Sequence, residues 1–461
     1  MKVLESKIFD IINSILFVIQ SKTDKIKRDS FILSHIDLLI FIGISLTLII
    51  STFMQTEMIG VFSLIVPFLV FIKVLITKGE RIELGKANLF LLLYFFICLI
   101  SNFTSSLIPQ SLYGFMKTSI YFAFYFALCQ FLKTNKKYII MLLVLLAILV
   151  SVESFIAILQ NIRGVENIST WQDTSYVNPE DVISRVYGTL KPYNPNLFAG
   201  WLVAAFSSLI GVFALLFNKI KLKSMLKKGL CIASMIALLA SILTIFLTGS
   251  RGAYIALFFA ILLIIAASFQ VVFYNETYAY LKNIWTKIII AFCSLSAMFF
   301  ALKHDILLRI MSIFIMRGDS STSFRMNVYS SSLQMFQDNW IQGIGVGNKV
   351  FREIYGLYML SGFDALSCYC VFLEMAVESG IFALFAFFLF LIILFKNAIE
   401  TFIKHNDMNT KIFILVAFIS VFGVMIHGLF DTVFFRPQVQ FVFWTMTAIL
   451  LTLTREEIKE K

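Results

Sequence analysis

The chain has 461 residues, of which 59% are hydrophobic and only 14% charged, with 51 phenylalanines, a mean hydropathy of +0.89 and a formal charge of +11. Soluble domains carry roughly a quarter charged residues, so this composition excludes a soluble protein and points to a membrane protein. The basic residues recur in short clusters between apolar runs, which is how loops on one side of a bilayer look, and this excludes a nucleic-acid patch as their reason.

The first thirty residues, "MKVLESKIFDIINSILFVIQSKTDKIKRDS", have no small-residue cleavage site after their apolar part. Ile8 to Gln20 reads as an amphipathic helix on the membrane surface, followed by a basic linker, so residues 1–35 form a cytoplasmic N-terminal segment. A hydrocarbon core about 30 Å thick needs ~20 apolar helical residues. Runs of that kind lie at 36–54, 58–77, 87–106, 116–133, 138–160, 196–217, 229–248, 252–274, 287–303, 369–395, 411–434 and 437–454. The expected fold is therefore all-α, a polytopic membrane bundle of about twelve spans over residues 36–454, with a cytoplasmic tail at 455–461.

The Lys and Arg bias of the short loops sets orientation. Lys78, Arg81 and Lys86, then Lys133, Lys136 and Lys137, then the lysines from 219 to 228, and finally Lys396, Lys404 and Lys411 all fall on one side with the basic N-terminus. That side is cytoplasmic. The other side receives the loops 107–115, 161–195 and 304–368, the hairpin at Arg251 and the turn at Arg436. Arginine is disfavoured on the outer side, so Arg251 asks for a reason beyond helix anchoring.

The loop 161–195 ends in "SRVYGTLKPYNPN". Arg185 precedes Gly188, and Asn194-Pro195-Asn196 opens a helix whose free N–H groups suit an anion. The same residues also fit an ordinary cap beside a surface arginine. The loop 304–368 is too long to be a mere connection and carries Arg317 and Arg325. Within it Thr322–Trp340 has helical spacing at Phe324, Val328, Leu333 and Phe336, which predicts an amphipathic helix. "GIGVGN", Gly343 to Asn348, lacks the strand and βαβ context of a nucleotide loop and reads as a flexible turn. Glu374 and Glu378 lie one helical turn apart, as do His427 and Asp431, and Glu153 sits in the outer part of its span. Ionisable groups at membrane depth face a cavity, a partner or a pathway. These acids and the histidine serve as a proton path, as a base beside a substrate cleft, or as internal Glu–Arg and His–Asp pairs that fix packing. Arg185, Arg251, Arg317 and Arg325, with Arg436, are candidates to grip an anion, because guanidinium forks bind phosphate bidentately. The six cysteines (Cys98, Cys129, Cys231, Cys293, Cys368 and Cys370) have no zinc spacing, so neither a metal nor a cofactor is expected.

"LTGSRGAYIAL", "RVYGTLKPYNPNLFAGWL", "FRMNVYSSSLQMFQDNWIQGIGVGNKVF" and "LEMAVESGIFAL" together resemble the O-antigen ligase and Wzy-type polymerase superfamily, over residues 150 to 435. "LYMLSGFDALSCYCVFLEMAVESG" with "HGLFDTVFFRPQVQ" looks closest to the cyanobacterial IctB type, named for inorganic-carbon transport. The resemblance implies metal-independent glycosyl transfer from a polyprenyl diphosphate-linked glycan to an acceptor hydroxyl on the outer face. Arg185, Arg251 and Arg325 match its arginine sites. Its loop histidine has no counterpart, because this chain reads Tyr369-Cys370-Val371-Phe372-Leu373 there, and His304 stands at the other end of the loop. A base would then come from Glu378, His427 or Asp431. Two other readings stay open: transport of bicarbonate or another small anion, and carrier-lipid binding without catalysis. The expected partners are the lipid-linked glycan or anion and membrane lipids, with no nucleic acid. The richness in Ile, Phe, Lys and Asn fits a low-GC genome, hence a bacterial inner membrane or a plastid membrane.

Overall fold

The computed structural model describes residues 2–54, 56–164, 185–218, 225–274, 320–360, 362 and 364–455. Among them every regular element is helical. The helices are α1 (Lys2–Asp29), α2 (Phe31–Ser34), α3 (Ile36–Phe53), α4 (Thr56–Ser63), α5 (Ile65–Ile76) and α6 (Lys86–Thr104). They continue as α7 (Ile108–Thr134), α8 (Lys137–Arg163), α9 (Pro195–Ala205), α10 (Ser207–Asn218), α11 (Met225–Leu247) and α12 (Arg251–Tyr274). The rest are α13 (Ser320–Asp338), α14 (Asn348–Tyr355), α15 (Val371–Lys404), α16 (Met408–His427) and α17 (Pro437–Thr454).

Ten stretches among the described residues are long and apolar enough to cross a membrane. They answer the expected spans from 36 to 274 and the pair at 369–395 and 411–434. The expected span 287–303 and Arg317 lie outside the described residues. The protein is a polytopic helical membrane bundle.

The last expected span, 437–454, exists as α17 but is no ordinary lipid-facing helix, since every one of its residues is buried. It packs against α7, α16, α9 and α3 and forms the centre of the bundle. Its threonines and Trp444 are satisfied within the helix. Thr445, Thr447 and Thr452 each donate to the carbonyl four residues back, at 2.7 Å, and Trp444 donates to Gln440. A helix enclosed by other helices can carry such residues because its backbone needs no partner from outside.

Three expectations change in detail. The basic linker after Gln20 is helical, so α1 runs from Lys2 to Asp29 as one piece. One face docks on the loop after α5: the Gln20 amide donates to Val74 O (2.8 Å) and Glu80 O (3.0 Å) and accepts from Gly79 N (3.1 Å). Asn13 exchanges two similar bonds with the backbone of Ile82. Another face keeps Ile11, Ile15 and Val18 exposed.

The second change is in α15, which is broken at Gly380 (φ 79°). Residues 340–347 pack into the break. Ile381 N donates to Trp340 O (2.8 Å), Ile344 N to Val377 O (3.0 Å) and Gly345 N to Glu378 O (2.9 Å). A Cβ on Gly380 would stand 2.1 Å from Ile341 O, so only glycine fits both the dihedral and the space. "GIGVGN" is therefore a pinned turn and not a flexible one. Third, α16 ends at His427 instead of running to 434, because residues 428–432 turn away and a short 3-10 helix, Val433–Phe435, leads into α17.

Candidate functional site

The site is built from two turns that face each other. One is the hairpin Thr248-Gly249-Ser250, which joins α11 to α12 and sets Arg251 at the first position of α12. The other is the turn His427 to Asp431 at the end of α16, where Phe430 N and Asp431 N both donate to His427 O (3.0 and 3.2 Å). They meet through glycines. A Cβ on Gly252 would lie 3.2 Å from Phe430 Cβ and 3.4 Å from His427 Cδ2, and one on Gly200 would lie 3.5 Å from His427 Cε1. His427 is thus clasped between α9 and α12, and its Nε2 is 3.3 Å from Ser250 Oγ.

The arginines attach to this frame through backbone carbonyls. Arg185 Nε donates to Thr248 O (2.7 Å), and its Nη2 reaches the Oδ1 of Asn196. Asn194 caps α9 next to it by accepting from the N–H groups of Asn196 and Leu197, the role its sequence suggests. Arg325, on α13, donates from Nη1 to Phe430 O (2.9 Å) and faces Asp431 Oδ2 across 3.6 Å. Arg251, at the first position of α12, is half-buried. One continuous path, from Arg185 through the hairpin and the 427–431 turn to Arg325, therefore brings together three residues separated by 140 positions in sequence.

Tyr369 completes the group, and the sequence marked it only as a departure from a motif. Its backbone takes a positive φ of 54°, which is uncommon for a residue other than glycine. Its ring lies 5.3 Å under the Arg325 guanidinium, within reach of a cation–π attraction. Its carbonyl accepts from the Tyr329 hydroxyl (3.3 Å). Burial, then the nearby Asp431 carboxylate, push its phenol up to about 12 against the opposing pull of Arg325. The phenol is neutral at any ordinary pH, so it can donate a hydrogen bond but cannot stand in for an imidazole base.

The other candidates divide. His427 and Asp431 belong to the group. Asp431 Oδ1 accepts from Val433 N (3.2 Å), which leaves Oδ2 toward Arg325. Glu378 does not belong to it by any contact: its Oε1 accepts from Gly347 N (2.8 Å), and its carbonyl accepts from Ser101 Oγ (2.7 Å) and Gly345 N. Glu378 fastens the pinned turn and still lies one helical turn from Glu374, with which it interacts electrostatically; the helix breaks two residues further on, at Gly380. Glu374 accepts from Cys368 N (3.1 Å) and lies within electrostatic range of Arg436 and Asp431. Arg436 itself is exposed at the start of α17. Glu153 accepts from both N–H and hydroxyl of Thr189 and so holds the loop that carries Arg185.

With this geometry in place, comparison with known proteins gives one result. Residues 235–388 match the O-antigen ligase family. No curated protein gives a significant match. The matched stretch is about a third of the chain. It holds Arg251, Arg325, Tyr369 and Glu378, whereas Arg185, His427 and Asp431 lie outside it and join it through the contacts above.

Proposed function

We propose that the protein is a ligase-like glycosyltransferase that moves a glycan from a polyprenyl diphosphate to an acceptor hydroxyl at the outer face of a bacterial inner membrane. The observation that carries this reading is the convergence of Arg185, Arg251 and Arg325 on one pair of turns, two of them inside the stretch that resembles O-antigen ligases. In the transfer the bond between the anomeric carbon and the phosphate oxygen breaks, and the acceptor oxygen bonds to that carbon. The diphosphate leaves with the electron pair. Guanidinium groups fixed before the reaction stabilise that growing charge without having to be ordered during it. The acceptor proton goes to a base, and Asp431 is the best placed of the three candidates, since Glu378 is committed to the pinned turn and His427 is enclosed by glycines.

The anion-transport alternative, the IctB-type role, needs a polar path through the inner half of the bundle. The hydroxyls of α17 are turned onto their own backbone, which removes the most obvious lining for such a path. We therefore favour transfer. The test is reconstituted glycan transfer with the parent and with Arg325→Ala and Arg251→Ala. Loss in both variants supports the reading, and undiminished transfer in both sinks it.

A further inference from the structure

The loop that carries Arg185 also carries two tyrosines that the transfer chemistry does not use. Tyr187 and Tyr193 hold their ring centroids 5.3 Å apart at an interplanar angle of 52°. Tyr193 is 41% exposed and Tyr187 half-buried, while Val186 and Leu190 of the same loop are fully enclosed in the core. Surface rings on an irregular loop would ordinarily be mobile. Here the loop is tied from below by four hydrogen bonds at three of its residues. Gln160 donates to Gly188 O (2.8 Å) and accepts from Gly188 N (3.0 Å), Thr189 N donates to Glu153 (2.9 Å), and Gln438 donates to Lys191 O (2.9 Å). Tyr193 N closes a turn onto Leu190 O (2.8 Å), and Tyr193 has a positive φ of 63°, a conformation that a side chain takes only when its surroundings enforce it. A buried glutamate and two glutamines thus support a pair of aromatic faces presented at the surface.

We propose that Tyr187 and Tyr193 are a sugar platform, on which the first sugar of the lipid-linked glycan stacks while Arg185 meets its diphosphate. The inference rests on the diphosphate reading above and goes beyond it by naming what holds the glycan. A pyranose ring has one face lined by polarised C–H bonds, and the negative face of an aromatic ring attracts them. Reach also fits. Arg185 and Tyr187 are two positions apart, so their Cα atoms are separated by no more than about 7 Å, the order of one sugar–phosphate link. Arg185 also touches Asn196 and Tyr187 meets Tyr193, so guanidinium and rings sit on one unit. Tyrosines that merely anchor the loop in the headgroup region would recognise no sugar.

The discriminating experiment compares two probes on full-length protein in nanodiscs: polyprenyl diphosphate without a sugar, and the same lipid carrying one N-acetylhexosamine. The double variant Tyr187→Ala/Tyr193→Ala is expected to lose ~10-fold in affinity for the glycosylated lipid and to bind the sugar-free lipid as the parent does. Tyr187→Phe/Tyr193→Phe, which keeps both rings, is expected to bind both like the parent. Retained binding of the sugar-free lipid serves as the control for folding. A double alanine variant that binds the glycosylated lipid as well as the parent, or that loses both lipids equally, overturns the platform. A parent that binds neither lipid overturns the diphosphate reading and the platform with it.

Discussion

Lys73 and Arg325 are both cations set into the helix bundle, one toward each end, and they are held in opposite ways. Lys73 has a side chain only 3% exposed, and its three N–H donors go to Asp37 (2.9 Å), Glu80 (3.1 Å) and Thr134 (2.9 Å). Arg325 is 27% exposed, and its contacts are one carbonyl at 2.9 Å, a carboxylate at 3.6 Å and the face of a ring. The first arrangement is closed: each donor has a protein partner at short range. The second fixes the guanidinium in position while keeping it reachable. A closed cluster serves the fold, whereas an open one leaves the guanidinium free to meet an anion, as the proposed function requires.

This contrast can be broken most forcefully at its closed end. Lys73→Ala leaves the nearly buried Glu80 carboxylate without its cation, and breaking a buried pair in this way costs about 3–5 kcal/mol. Thermal unfolding of the purified variant should show a large fall in Tm or no folded protein at all. A variant as stable as the parent would mean that the cluster does not hold its end of the bundle together.

Arg325→Ala is the converse test. Loss of hydrogen bonds from a charged group costs roughly 1.5–3 kcal/mol, so transfer or lipid affinity should fall about 10- to 100-fold. Stability should fall by about 1–2 kcal/mol, less than for Lys73→Ala, because the ring contact is lost but the guanidinium is partly solvated and its carboxylate is not in tight contact. Arg325→Lys should not restore function, since an ammonium lacks the planar fork. A drop in Tm as large as that of Lys73→Ala would erase the distinction between the two ends.

Part of the arginine-bearing end is itself closed, and Gly380→Ala sharpens the comparison there. The added methyl would meet Ile341 O at 2.1 Å at a φ of 79°, and overpacking of this kind costs about 1–3 kcal/mol. Calorimetry should register that loss while residual folded protein still binds lipid diphosphate. The smallest expected effect belongs to Tyr369. Tyr369→Ala removes a cation–π contact worth about 0.5–2 kcal/mol, whereas Tyr369→Phe keeps it. Because the Tyr369 phenol is pushed up to about 12, it keeps its proton across the pH range of the assay. The Phe variant should therefore match the parent in both rate and pH profile between pH 6 and about 9. A Phe variant with a shifted profile would show that the hydroxyl takes part.

The sequence was most legible where one physical constraint acts alone. Apolar runs long enough to cross a bilayer located the helices, and the lysine bias placed Arg185, Arg251 and Arg325 on the same side. It could not tell which of these would meet, since their junction depends on Gly200 and Gly252 letting α9, α12 and α16 close around His427. The end of α16 is not legible in the sequence because Leu429, Phe430 and the residues after Asp431 are as apolar as the helix, yet they line a turn. Glu374 and Glu378 have the spacing of a functional pair, but that spacing says nothing about the break at Gly380 or about Gly347 arriving from thirty residues away. Lys73 carries no signal inside its apolar run because its partners Asp37, Glu80 and Thr134 come from three other segments. Tyr369 was visible only as the absence of a histidine. Its place under Arg325 depends on a backbone dihedral that no residue pattern announces.

The central claim is that the outer arginines hold a lipid diphosphate. Mass spectrometry of lipids that copurify with the detergent-solubilised parent, beside an Arg251→Ala/Arg325→Ala variant, tests it most directly. The account predicts a polyprenyl diphosphate species in the parent that is lost from the folded variant. A folded parent that carries no such lipid, or a variant that retains it in equal amount, would contradict it.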